Sequence, residues 1–141
     1  MPTRQKPSKK LMFLLPLLIM GLFLSGCRTQ PIFNVKNQAV STAAPAHMKL
    51  STMQVRQAIT QAAVSRGWKV KNVSANMIIA TLDLRGHTAV VSIPYSSKSY
   101  SILYKSSDKL LRKGDMIHRS YNGWVKNLRD GINKNLSKER R

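Results

Sequence analysis

The sequence predicts an α+β domain in which a four-stranded antiparallel meander carries two helices on one face, in the order α–β4–α. Three observations carry that reading. A helix start is written around Ser51, two stretches alternate at period two over residues 78–84 and 89–95, and an apolar stripe runs from Ile117 to Leu136. Helical and strand periods differ (about 3.6 against 2), so the two kinds of segment can be told apart.

Ser51 suits a helix N-cap, and Gln54 three residues later completes a capping box. Leu50 and Val55 have the spacing of a hydrophobic staple, and Val55, Ala58, Ile59, Ala62 and Ala63 fall on one face. Arg66-Gly67 ends the helix, with Gly67 suited to the left-handed position. Trp68 and Val70 then begin a first strand. In the next two strands Ile78, Ala80, Leu82 and Leu84 face one way, as do Ala89, Val91, Ile93 and Tyr95. A two-residue turn at Gly86-His87 sets Leu84 opposite Ala89, Leu82 opposite Val91, Ala80 opposite Ile93 and Ile78 opposite Tyr95. A loop over residues 96–99 then pairs Tyr95 with Tyr100, Ile93 with Ile102 and Val91 with Tyr104. Asp115 caps the last helix, whose stripe is Ile117, Tyr121, Trp124, Val125, Leu128, Ile132 and Leu136.

The opposite sheet face shows Ile79, Thr81, Asp83, Arg85, Thr88, Val90, Ser92 and Leu103, and is only half polar. It is either a binding surface or partly covered by Ile32-Phe33-Asn34-Val35. That short segment otherwise reads as an edge strand within a tether over residues 27–50, whose 41–46 stretch is small and without apolar period. The domain is expected over residues 51–136, followed by a basic tail over 137–141.

Arg4, Lys6, Lys9 and Lys10 precede fourteen uncharged residues, Leu11 to Leu24. A basic start and a short apolar run read as a secretory signal over residues 1–26. A membrane-spanning helix needs about 20 apolar residues, and Pro16 and Gly21 interrupt this run. Leu24-Ser25-Gly26-Cys27 resembles the bacterial lipobox. The resemblance implies cleavage before Cys27, a diacylglyceryl group on its sulfur and a fatty acyl group such as palmitate on its new amine. Cys27 is the chain's only cysteine, so no intramolecular disulfide is available. Similarity to enterobacterial lipoproteins also implies the outer membrane, because Arg28 stands where a retention aspartate would be.

From Cys27 onward the chain keeps 20 basic and five acidic residues, a net charge of +15. Such a charge suits nucleic acid or an anionic surface. In the envelope no nucleic acid partner is expected. Anionic lipid, lipopolysaccharide, peptidoglycan or an acidic envelope protein fit, and the plain alternative is a solvated basic surface with no specific ligand.

Catalytic material is scarce. His47 lies in the tether and His87 in the hairpin turn, where exposure is the ordinary outcome. Asp115 and His118 form either a base-orienting pair or simply the cap and N3 of the last helix. No two histidines have ligand spacing, and Asp83, Asp108, Asp115, Asp130 and Glu139 are the only acids, so no metal or cofactor is expected. Tyr121-Asn122-Gly123-Trp124 reads either as core or as an aromatic platform.

Ile32-Phe33-Asn34-Val35, Val55-Arg56-Gln57-Ala58-Ile59, Arg66-Gly67-Trp68, Arg85-Gly86-His87-Thr88-Ala89 and the 117–125 stretch together resemble a group of small proteobacterial lipoproteins to which no activity is assigned. The expectation is a lipid-anchored, non-catalytic binding or assembly module facing the periplasm. Its candidate binding residues are Arg85, His87, His118, Arg119, Lys126 and Arg129. A cell-wall or lipid-acting enzyme and a purely structural lipoprotein are the alternatives.

Overall fold

The computed structural model describes residues 28–40 and 49–140. The expectations for residues 1–27, with the Leu24-Ser25-Gly26-Cys27 motif, and for residues 41–48 and Arg141 lie outside the described residues.

Helix α1 (Thr52–Val64) starts as its sequence dictates. The Ser51 hydroxyl accepts the Gln54 N–H at 3.2 Å, and the Gln54 side chain accepts the Ser51 N–H at 2.9 Å. Two N–H groups that the helix cannot satisfy itself are thereby paired. Leu50 and Val55 are both buried, and Val55, Ala58, Ile59, Ala62 and Ala63 form the inward face. Gly67, at φ 82°, ends the helix: its N–H bonds the Val64 carbonyl and the Trp68 N–H bonds the Ala63 carbonyl, both at 3.0 Å. That is a Schellman motif, and the left-handed residue at its centre favours glycine.

The meander is present as β3 (Lys69–Ser74), β4 (Met77–Leu84), β5 (His87–Pro94) and β6 (Ser99–Asp108), each neighbour antiparallel. It is not the whole sheet. β2 (Val35–Ala39) adds to the free edge of β6, giving five strands in the order β2-β6-β5-β4-β3. β1 (Thr29–Pro31) pairs with β7 (Met116–His118) in a separate two-stranded sheet. The four-stranded expectation is corrected accordingly, and the stretch read as tether is strand over 29–31 and 35–39. Val35 pairs with Ile102, so this segment extends the sheet edge and does not cover the outer face.

The β4–β5 register also differs from expectation. The turn is Arg85-Gly86, and Leu84 pairs with His87, Leu82 with Ala89, Ala80 with Val91 and Ile78 with Ile93. Both turn residues have positive φ, 51° and 78°, as a type I′ turn demands, and its twist suits the flanking strands. Moving the turn by one residue shifts each partner by two, so every side chain stays on its expected face. Tyr95 does pair with Tyr100 and Val91 with Tyr104, before a bulge at Lys105.

Helix α2 (Arg119–Glu139) begins later than expected. Asp115 does not cap it. His118 is the N-cap, its Nδ1 accepting the Ser120 N–H at 3.2 Å. Ile117 is buried from β7, and the stretch read as a basic tail continues the helix to Glu139. Arg140 then donates to the Val40 carbonyl at 3.1 Å. Among the described residues no helix is long and apolar enough to cross a membrane.

The inward side chains of the sheet and the stripes of both helices make one core. Ile78, Ala80, Val91, Ile93 and Ile102 are fully shielded from one side, and Ile59, Tyr121, Leu128 and Ile132 from the other. The outer-face residues Ile79, Thr81, Val90, Ser92 and Leu103 are half-buried by their neighbours in the sheet.

Two core tyrosines make stability pH-dependent. Burial pushes the Tyr100 and Tyr121 phenols well above their ordinary 10.0. Both favour the folded state fully below the unfolded value, and that contribution is lost as the pH rises past it toward the folded value. The thermal midpoint should therefore hold to about pH 10 and fall above it. Tyr121 Oη is buried without a hydrogen-bond partner. An unpaired buried hydroxyl costs about 1–3 kcal/mol, so Tyr121→Phe should be neutral or stabilising by about 1 kcal/mol at neutral pH. It should also lose less at alkaline pH. A clear destabilisation measured in urea would contradict this.

Candidate functional site

Four of the six candidate residues come together at one end of the domain. Arg85 sits exposed in the β4–β5 turn. His87 opens β5, and its Nδ1 lies 2.7 Å from the Lys109 carbonyl. A carbonyl only accepts, so this nitrogen carries the proton. One residue on, the Leu110 carbonyl accepts the His118 N–H at 2.8 Å. His118 in turn pairs with Thr29, and the Arg119 N–H bonds the Arg28 carbonyl at 2.9 Å. A continuous path of contacts therefore runs from the hairpin turn through the loop after β6 to the start of α2 and the first described residue.

This end is strongly basic. Arg28, Lys109, Arg112, Lys113 and Arg119 are all exposed there, with Asp108 and Asp115 as the acids of the same loops. Among the described residues only two ion pairs form, Lys69–Asp83 at 3.0 Å and Arg129–Asp130 at 2.8 Å, and neither engages Arg28, Arg85, Lys109, Arg112, Lys113 or Arg119. Arg112 is held by the Tyr104 ring, 5.0 Å from its centroid, and Tyr104 packs edge-on against Tyr121. The sequence reading missed Arg28, Lys109, Arg112 and Lys113, because nothing local marks loops that meet only through β1 and β7.

Lys126 and Arg129 do something different. Their cationic groups lie 5.3 and 5.8 Å from the Phe33 ring centroid. Such contacts contribute about 0.5–1 kcal/mol each when exposed. Both residues clamp the N-terminal segment onto α2, seven to ten residues beyond Arg119. Asn122 completes that clamp. Its Oδ1 accepts the Phe33 N–H and its Nδ2 donates to the Pro31 carbonyl, both at 2.9 Å. Asn122 is 5% exposed, a buried polar group satisfied by backbone from 90 positions away.

The aromatic stretch divides. Tyr121 is core, whereas Trp124 is half-buried and stands beside Trp68, Leu82, Leu84 and Arg66 in an open cleft of about 260 Å³. Asp83 lies at its rim, and hydrogen bonds from Thr88 and then Lys69 hold its carboxyl below the ordinary range. The Arg66 guanidinium lies against Gly131 of α2, which brings the two helices close. Among the described residues no three His, Cys, Asp or Glu side chains gather in one place. The chain matches no family model, no curated protein and no solved structure.

Proposed function

We propose that the protein is a lipid-anchored, non-catalytic binding or assembly module of the bacterial envelope, attached at Cys27 to the outer membrane and facing the periplasm. The lipobox-like Leu24-Ser25-Gly26-Cys27 supports the anchor. The observation that carries the binding role is the unneutralised basic end built from Arg28, Arg85, Lys109, Arg112, Lys113 and Arg119. Its ligands are anionic lipid, the phosphates of lipopolysaccharide, acidic cell-wall polymer or an acidic protein. Multivalent contact between fixed charges suits such surfaces and asks for no reacting group.

Sedimentation with vesicles tests this. A fragment starting at Arg28 is expected to bind vesicles containing phosphatidylglycerol, or lipopolysaccharide, and to ignore phosphatidylcholine. Each Lys or Arg near an anionic membrane contributes about 1 kcal/mol. The attraction reaches about 30 Å at 0.01 M salt and about 8 Å at 0.15 M, so binding should drop steeply as salt rises. Equal and negligible binding to neutral and anionic vesicles at low salt would reject the basic surface as the binding element.

A further inference from the structure

We infer that the loop Lys109–Lys113 docks on the phospholipid surface, with Leu111 entering the acyl region and the surrounding bases meeting anionic headgroups. The inference rests on the proposed anchor at Cys27. Arg28 is the next residue, and its carbonyl is bonded to the Arg119 N–H at 2.9 Å. Consecutive Cα atoms are about 3.8 Å apart, so a lipid carried on Cys27 would be one residue from this bonded position. The loop lies alongside. β7 has β1 on one side and the Leu110 carbonyl on the other. Neighbouring strands are about 4.8 Å apart, which puts Leu110 roughly 10 Å from Thr29.

The loop itself is shaped for contact. Lys109 and Leu111 both take left-handed φ, 54° and 52°, a region that residues with a Cβ disfavour. The intervening Leu110 is buried at 2% exposure, whereas Leu111 is thrown outward at 56%. Turning Leu110 inward, where its carbonyl accepts the His118 N–H, leaves the neighbouring Leu111 side chain presented to solvent. Against a membrane the same conformation buries that side chain, and strain of this kind gathers at functional positions. Arg28, Lys109, Arg112, Lys113 and Arg119 surround it, outnumbering Asp108 and Asp115.

Leu84, 41% exposed and paired with His87, stands at the same end but on a strand without the left-handed backbone of the loop. Val73 is as exposed as Leu111, at 57%, but lies by Ser74 and Met77 at the far end of the sheet. β4 separates the two ends by roughly 23 Å.

The test uses the full chain, purified from envelopes and reconstituted into phosphatidylethanolamine–phosphatidylglycerol vesicles whose acyl chains carry a nitroxide quencher. Leu111→Cys and, as control, Val73→Cys are labelled with an environment-sensitive fluorophore, and the mass of the Cys27 peptide is read from the same samples. The 111 label should shift to the blue and lose most of its emission, while the 73 label stays bright. With the label moved to Lys113→Cys, adding Leu111→Asp should restore emission. Acylated protein whose 111 and 73 labels are equally bright overturns the inference and leaves the anchor standing. Cys27 without acyl groups overturns the anchor and this inference with it. Equal quenching in pure phosphatidylcholine vesicles overturns the role given to the bases.

Discussion

A fragment beginning at Lys49 is expected to lose cooperative folding, whereas one beginning at Arg28 keeps it. The difference is β1, β2 and the turn between them. Val35 and Val40 are 5% and 4% exposed, and Ile32 and Phe33 pack against the same core. Burying a valine contributes about 1.5–3 kcal/mol, so two valines alone approach the low end of a domain's total stability of about 5–15 kcal/mol. Removing β2 also strips the edge of β6, where Tyr100 and Ile102 are 1% and 0% exposed. Urea unfolding of the two fragments is the measurement. Equal midpoints would mean that residues 28–48 add nothing to the fold.

The second large effect is expected at Asn122. Asn122→Leu keeps the branched outline of the side chain and removes both ends of the clamp, leaving the Phe33 N–H and the Pro31 carbonyl without their side-chain partners. Pro31 is exposed, so water can take over its carbonyl, whereas the half-buried Phe33 N–H loses its partner, and a loss of about 1–3 kcal/mol is expected. The loss should be local as well as global. Hydrogen exchange should speed up at β1 and β2 amides before it does at α1, because the N-terminal segment is what Asn122 holds. Unchanged exchange at Phe33 would show that the strands hold themselves. With the clamp gone, the segment over residues 28–40 is expected to become the loose tether that its composition suggests.

The parts of the fold legible in the sequence are those settled by neighbours in the chain. The Ser51–Gln54 capping box involves residues three apart, and the faces of β4 and β5 follow from a period of two, which survives even a misplaced turn. The turn itself was missed because Arg85, not a second glycine or an asparagine, takes the first left-handed position. The start of α2 was misread because Ile117 stands four residues before Tyr121, in phase with the helix although it belongs to β7. β1 is three residues ending in proline, and its partner lies almost 90 positions away, so no local pattern announces it. The candidate site follows the same division. Arg85, His87, His118 and Arg119 were visible as residues, but only the β1–β7 pairing and the Lys109–Leu110 contacts bring them to one end. Trp124 shared the stripe's spacing yet sits at its border, on a cleft that spacing does not reveal.

Metabolic labelling with a radioactive fatty acid, in cells making the natural chain or Cys27→Ser, tests the central claim most directly. The natural chain should carry the label and run at the size of a protein starting at Cys27. The Cys27→Ser chain should be unlabelled and keep the length of the uncut precursor. A natural chain without label, or label that persists in Cys27→Ser, would contradict an anchor at Cys27 and with it the placement of the basic end against the membrane.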